Sequence, residues 1–498
     1  MKAEITINKK YTVGEIDKRI YGAFIEHIGR AVYEGIYEPG HPEADDMGFR
    51  QDVISHVKNL GVTLVRYPGG NFVSEYKWED GTGDRSKRPQ KVNSAWQSIE
   101  TNEVGIDEFQ EWANRTDTEV MMAVNLGTRG PVEAQNCVEY CNADTDTYYA
   151  AMRKTNGFER PFGINLWCLG NEMGGLGQIG RKTADEYGKI ALETAKHMKR
   201  VSPGIELSVC GSSHINMPCF GEWDRTVLDY TYSYVDYISI HQYYSNSCDV
   251  RDYLARATDL DAYIKSIISI CDAVKAEKHS NKTINIAFDE WNVWTDGVLD
   301  DIPQWQKAPH IGEMTYTLAD ALVVGTMLMV FQNNCKRVKI ACIAQLVNAI
   351  APIMTEKGGK AWVQTIFYPF MYAAKYGQGE VMNIILNCDR YSTDKHRDIA
   401  YIEASAIHNA DKSEIIIFAV NRSLTDDAEL VVDFENFGDC VLVEHVELYS
   451  DNIEATDTKD WQEVTPRSAE IANGRPLLKK HSWNMLRYQY KLGLPAFY

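Results

Sequence analysis

The chain has no long hydrophobic run. No stretch of about 18 or more apolar residues occurs, the length a membrane-spanning helix needs. The most apolar segment, residues 318–331, is broken by Asp320 and is too short to cross. The opening residues Met1-Lys2-Ala3-Glu4-Ile5-Thr6 carry no apolar core of signal-peptide length, so a cytoplasmic protein is expected. Positive charge is scarce too. Against 70 Asp and Glu stand 51 Lys and Arg, a formal net charge of −19, and a surface of that sign repels nucleic acid and anionic membranes. Neither is an expected partner. Metal-ligand spacing is also missing. The 11 cysteines are scattered through apolar segments, and Cys137 and Cys141 lie four apart without a second pair or a histidine partner. His27, His56, His214 and His241 are dispersed. Buried, reduced thiols and no metal or organic cofactor are expected. No GxGxxG turn follows the first strand-like run, which weakens the case for a doubly wound dinucleotide-binding sheet.

What the sequence does hold is a regular alternation. Short β-rich runs fall at residues 20–26, 62–67, 119–125, 164–169, 205–210, 235–242, 284–288 and 338–344. Helical patterns lie between them at 50–60, 106–115, 184–201, 261–278 and 314–333, with 360–378 closing the series. Eight such units predict an α/β fold of the (β/α)₈ TIM-barrel type. After residue 378 the pattern changes to strand-like runs at 400–406, 414–421, 428–434, 441–448 and 484–490, separated by Asn, Asp, Gly and Ser. This predicts a C-terminal antiparallel β-sandwich, jelly-roll-like, that the alternating N-terminal segment 3–13 joins. The expected domains are therefore 1–15 (the joining strand), 16–378 (the barrel) and 379–498 (the sandwich). With 498 residues and 44% hydrophobic content, both cores are affordable in size.

Two glutamates then stand out. Glu172, in Leu169-Gly170-Asn171-Glu172-Met173, follows the fourth strand, and Glu290, in Phe288-Asp289-Glu290-Trp291-Asn292, ends the seventh. Both fall at the C-terminal face, where barrel enzymes place their chemistry, and they approach from opposite sides of the mouth. Glycosidic cleavage needs such a pair: one carboxyl carries a proton for the leaving oxygen, the other stays ionised. A lone glutamate at a strand end is ordinarily solvated or ion-paired. Here other strand ends add Glu26-His27, Arg66, Gly69-Gly70-Asn71, His241-Gln242-Tyr243-Tyr244, Gln345 and Asn348. A mouth so furnished is easier to explain with a ligand than without one. Phe288, Trp291 and Trp294 give Glu290 an aromatic setting suited to a sugar face, although aromatics at this spacing are more often core.

These segments carry a resemblance. Gly22-Ala23-Phe24-Ile25-Glu26-His27, Gly35-Ile36-Tyr37-Glu38-Pro39, Arg66-Tyr67-Pro68-Gly69-Gly70-Asn71-Phe72, Cys168-Leu169-Gly170-Asn171-Glu172-Met173, His241-Gln242-Tyr243-Tyr244 and Asp289-Glu290-Trp291-Asn292-Val293-Trp294 occur in order. Together they resemble glycoside hydrolase family 51, the intracellular α-L-arabinofuranosidases, along nearly the whole chain. The resemblance implies a barrel-plus-sandwich fold and an exo-acting, retaining enzyme that releases terminal α-L-arabinofuranose from arabinan or arabinoxylan fragments. It makes Glu172 the general acid/base and Glu290 the nucleophile. Glu26, Arg66, Asn71, Asn171, Tyr243 and Gln345 match positions that hold the furanose or orient the carboxylates. Trp96 and His241 match contacts, and Trp294 borders the sugar site. A homo-oligomer, commonly a hexamer, is implied as well. The chain departs from the family after Met173, where Gly174-Gly175-Leu176-Gly177 replaces a segment with an acidic residue and a tryptophan, and at Glu75 and Lys77. Those changes point to a reshaped leaving-group side. The competing expectations are a glycosidase for another furanoside or for a β-glucan or xylan chain, and a non-catalytic sugar-binding barrel.

Overall fold

The computed structural model describes residues 1–300, 302–469 and 475–491. All eight expected strands form, as Gly22–Phe24, Leu64–Tyr67, Glu119–Val124, Leu166–Leu169, Glu206–Cys210, Tyr237–Ser245, Asn285–Trp294 and Val338–Ala344. They pair in parallel, in chain order, into a closed barrel, the eighth returning to the first through Cys342–Gly22 and Ala344–Phe24. Both faces of these strands are covered, which is why they read as continuous apolar runs rather than alternating ones. Phe24, Leu64, Met121, Leu166, Ala287 and Ile340 fill the interior as a cluster of their own. At the closed end Arg19 spans the barrel floor. It donates to Glu119 through Nε at 2.7 Å and to Glu206 through Nη1 at 3.1 Å. Arg19→Ala leaves two partly buried carboxylates without their cation. It is expected to destabilise the fold by about 2 kcal/mol, discounted for partial exposure, which urea melts will read.

The seventh strand departs from regular pairing where it matters. Ala287 aligns with Ser239 and Glu290 with His241, so three residues on this strand oppose two on its neighbour. The extra residue is a β-bulge, and it resets the alternation of side chains. Ala287 faces the interior and Phe288 faces outward onto Phe331, yet Asp289 and Glu290 both point inward before Trp291 returns to Phe331 outside.

The helix Leu318–Asn333 is the apolar segment singled out above. It is buried on every side because it lies between the two domains: Phe331 packs on the seventh strand, while Gly325 lies so close to Trp483 of the sandwich that a Cβ there would sit 2.5 Å from its ring. A helix with core on both sides needs no polar face. Among the described residues no helix is long and apolar enough to cross a membrane.

Among the described residues the second domain is a nine-stranded sheet that folds over on itself. Phe434 and Tyr488 lie on strands with four others between them, yet their ring centroids are 4.8 Å apart. Strand Glu414–Asn421 shows why both faces are apolar. Ile415, Ile417 and Ala419 enter the sandwich core, whereas Ile416, Phe418 and Val420 pack on the barrel side. Three expectations are corrected. The segment 360–378 is helical only over Phe367–Tyr376, because Ala361–Val363 pairs with Ile353–Thr355 in a hairpin. A further strand, Glu380–Cys388, was not anticipated; its outer residues, such as Asn383, are exposed and mask the pattern. The sandwich is also not wholly antiparallel: the N-terminal strand Lys2–Glu15 pairs antiparallel with Glu380–Cys388 but parallel with Ala428–Glu435. The expected end of this domain, at residue 498, lies outside the described residues.

Candidate active site

A cavity of about 380 Å³ opens at the C-terminal ends of the barrel strands. Glu26, Asn71, Trp96, Glu172, Tyr243, Glu290, Trp294 and Gln345 line it. Glu172 and Glu290 approach it from facing strands, and one oxygen of each, with a ring nitrogen of His241, falls within 4.8 Å of the others. Glu172 occupies a left-handed backbone conformation, φ 44°, just past the fourth strand. Such a conformation is costly for a side chain with a Cβ and is found where a site demands a particular direction.

Arg66, Asn171 and His241 stand behind these groups. Arg66 is fully buried and donates to Glu290 Oε1 at 2.6 Å and to Asn171 Oδ1 at 2.7 Å. Asn171 in turn donates to Asn71 at 3.4 Å. Tyr243 donates its hydroxyl to the other oxygen of Glu290 at 2.9 Å, and its ring stacks on Trp294 with centroids 4.5 Å apart. His241 Nδ1 lies 2.8 Å from Glu172 and 3.6 Å from Glu290. Burial alone pulls the imidazole pKa down, but Glu290, Asp289 and Glu172 override it and raise it to about 10. His241 is therefore an imidazolium near neutrality.

Glu26 closes the other wall. Its carboxylate accepts from Phe72 N at 2.8 Å, Trp96 Nε1 at 2.9 Å and Gln345 Nε2 at 3.2 Å. Gly70 lies against it, with no room for a Cβ. Trp96 sits in the turn of the hairpin Lys91–Asn93 and Ser98–Glu100. Glu75 holds that turn by accepting from Ser94 N and Oγ, both at 2.5 Å. Burial, then the charge of Glu290, pushes Glu26 up to about 7. A carboxyl raised in the folded state favours folding least above that value: stability is lost as pH rises from the unfolded value to about 7 and stays lost beyond it. Glu26→Gln is thus expected to stabilise the protein above pH ~7 by about 1–3 kcal/mol while weakening sugar binding. Thermal melts at pH ~5 and ~8 check it, and an equal gain at both rejects it.

Some strand-end groups serve the scaffold instead. His27 turns away from the cavity and is clasped by Glu100 Oε2 at 2.7 Å and Tyr67 OH at 2.8 Å. Asn348 ties Arg30 O to Thr355. Phe288 and Trp291 pack outward, so the aromatic rings toward the cavity are those of Trp96, Tyr243 and Trp294. Gln242, placed at the mouth by its strand end, lines the cavity; Ser213, Leu299 and Ile350, and His214 in any role but that of a dispersed histidine, were passed over, because the loops after the fifth, seventh and eighth strands carry no recognisable spacing. Asp289 was also passed over. Strict alternation would send one of two adjacent acids outward, and the bulge that brings both inward has no sequence signature.

The rim segment after Met173 is tightly seated. A Cβ on Gly174 would lie 2.5 Å from Met217 Cε and 2.8 Å from the Trp223 ring. Leu176, by contrast, is 76% exposed.

Two comparisons of sequence and one of structure bear on this site. Residues 56–265 match the alpha-L-arabinofuranosidase 1 domain, and residues 289–482 match the alpha-L-arabinofuranosidase C-terminal domain. The chain is 50% identical to the intracellular exo-alpha-(1->5)-L-arabinofuranosidase of Acetivibrio thermocellus, over 98% of this chain and 99% of the relative. It is 49% identical to intracellular exo-alpha-(1->5)-L-arabinofuranosidase 1 of Bacillus subtilis, over 98% and 99%. In structure it is similar to AbfB, a family 51 alpha-L-arabinofuranosidase from Bifidobacterium longum, with TM-score 0.94, 39% identity, and 98% and 99% of the two chains covered. It is also similar to the arabinose complex of the enzyme from Thermotoga maritima, with TM-score 0.87, 30% identity, and 98% and 99% covered. A closed (β/α)₈ barrel bearing a β-sandwich, with two glutamates across its mouth, fits a glycoside hydrolase, the class to which these relatives belong. Within it, the chain belongs to glycoside hydrolase family 51, the α-L-arabinofuranosidases, which hydrolyse glycosyl bonds. That excludes a purely sugar-binding barrel.

Proposed function

We propose that this enzyme removes terminal α-L-arabinofuranosyl residues from arabino-oligosaccharides, such as arabinan or arabinoxylan fragments, by a retaining double displacement in the cytoplasm. The observation that carries the reading is the close approach of Glu172 and Glu290, one oxygen of each lying within 4.8 Å of the other with His241 Nδ1 beside both. Retaining glycosidases hold their carboxyl groups about 5–5.5 Å apart, whereas inverting ones leave room for a water between them. In the first step Glu290 attacks the anomeric carbon. The bond to the leaving oxygen breaks, and Glu172 gives that oxygen its proton. In the second step Glu172 takes a proton from water, which displaces Glu290 from the sugar.

The surroundings fit these roles. Arg66 and Tyr243 each donate to Glu290 and hold it as an aligned carboxylate. Glu26, Trp96, Gln345, Asn71 and Asn171 are placed to hold the furanose hydroxyls, and Trp294 to border the ring. Glu26, Trp96 and Gln345 wall the cavity at one end, which suits a chain terminus rather than a passing polymer. The leaving group then lies toward Ser213, His214 and Leu299. Relatives named for α-(1→5) cleavage support that linkage, and one from Bifidobacterium longum is named for α-(1→6). The resemblance also implies a homo-oligomer, a hexamer in its common form, whose mass light scattering will give.

The test is hydrolysis of 4-nitrophenyl α-L-arabinofuranoside, with the first-formed anomer followed by NMR. Release of the α-anomer supports the reading, and release of the β-anomer refutes retention. A panel including xylosides and glucosides refutes the sugar assignment if one of them is preferred.

A further inference from the structure

Asp289 belongs to none of the roles above. It has no exposed surface and does not line the cavity, so it cannot touch a bound sugar. Yet it is the hub of the charges beneath the site. One oxygen lies 3.1 Å from Arg66 Nε and 3.7 Å from Cys168 Sγ. The other accepts from Ser239 Oγ at 2.5 Å and lies 3.3 Å from His241 Nε2.

These contacts complete a chain of alternating charge: Glu172, His241, Asp289, Arg66, Glu290. Each end is one of the paired glutamates, and the middle is a buried anion shared by two cations. Burial opposes a charge on Asp289, but Arg66 and His241 more than compensate and hold its carboxyl below the usual range. Two buried cations without this anion would repel each other and turn their donors elsewhere. Glu290 alone cannot anchor both, since it already receives Arg66 on one oxygen and Tyr243 on the other. The bulge in the seventh strand is what makes the arrangement possible, because it brings consecutive carboxylates to the same side.

We propose that Asp289 is a positioning residue for catalysis: through Arg66 and His241 it sets the alignment of Glu290 and Glu172 relative to each other. The proposal rests on the acid/base and nucleophile reading of that pair. Its mechanism is local. An imidazolium whose Nε2 proton is given at 3.1 Å to Ser239 Oγ, the hydroxyl that itself donates to Asp289, must present its Nδ1 proton toward Glu172, in a fixed ring orientation. An arginine whose Nε edge lies 3.1 Å from the same carboxylate, as an ion pair, presents its two terminal nitrogens to Glu290 and Asn171. Asparagine at 289 keeps the shape, loses the charge, and aims N–H donors at one of the two cations.

The experiment is Asp289→Asn, read in two ways. On 4-nitrophenyl α-L-arabinofuranoside, kcat is expected to fall about 100-fold or more with KM within about threefold, because Glu26, Trp96 and Gln345 are held by one another rather than by Arg66 or His241. By ¹⁵N NMR, the His241 imidazole, which faces Glu172, Glu290, Asp289 and Ser239, is expected to stay doubly protonated to about pH 9 in the wild type. In Asp289→Asn it is expected to lose a proton at least about one pH unit lower. Should Asp289→Asn fail to fold, Ser239→Ala removes the hydroxyl that links His241 Nε2 to Asp289 without changing charge, and a kcat loss of about 10-fold with unchanged KM is expected. Wild-type kcat in the folded variant, or an unchanged His241 titration, overturns the proposal. If the wild type itself fails to cleave arabinofuranosides, the functional reading falls, while the His241 titration still judges the role of Asp289.

Discussion

Glu290→Ala is expected to abolish turnover of every arabinofuranoside, with kcat reduced by about 10⁴-fold or more whatever the leaving group. The reason is that no other side chain can take its place. Besides Glu172, the other carboxylate that lines the cavity, Glu26, is committed to Phe72, Trp96 and Gln345 on the other wall. Asp289 lies underneath, shielded from the cavity. Removal also frees Arg66 Nη1 and the Tyr243 hydroxyl, so Glu290→Gln belongs beside it as the variant that preserves shape. Both should be equally inactive if the oxygen is a nucleophile. If Glu290→Gln kept more than a few per cent of wild-type rate, a bond-forming role for Glu290 would be untenable.

The second large effect separates the two glutamates. Glu172→Ala removes the proton donor, so the loss should track how badly the leaving oxygen needs a proton. On arabino-oligosaccharides, whose leaving group is an alcohol, a loss of about 10³–10⁴-fold is expected. On a dinitrophenyl arabinofuranoside the first step needs no acid, and a pre-steady-state burst should survive within about 10-fold of the wild-type rate. Steady turnover should stay slow, because the water of the second step has lost its base. A small anion such as azide needs no base and should restore it. Equal loss on both substrates would contradict the assignment of Glu172. The comparison is clean because Glu172 contacts only His241 among the charged groups around it, and the Arg66–Glu290–Tyr243 arrangement does not depend on it.

These effects also mark how far the sequence could be read. Eight βα units were legible because strands covered on both faces carry unbroken apolar runs, and 164–169 or 338–344 cannot be mistaken for loops. Glu172, Glu290 and the polar strand ends could be located from their place at the end of such runs. The misreadings have local causes. The stretch 360–378 has helical composition throughout, but its first residues are taken by a hairpin partner at Ile353–Thr355. His27 looked like a member of the mouth because it adjoins Glu26. Only the fold shows that Glu100, on a hairpin 73 residues away, draws it into the scaffold.

By itself, then, the sequence determined the class of fold, the face of the barrel that carries polar groups, and the family. All three depend on residue type and on spacing along the chain, which are local quantities. The tertiary structure alone decided how close Glu172 comes to Glu290 and which strand-end groups serve the cavity rather than the scaffold. It also decided that Asp289 joins the two cations beneath them. Those are distances between residues on different strands and loops, tens to hundreds of positions apart. A single extra residue in one strand is enough to change them, because it reverses the side to which every later side chain points.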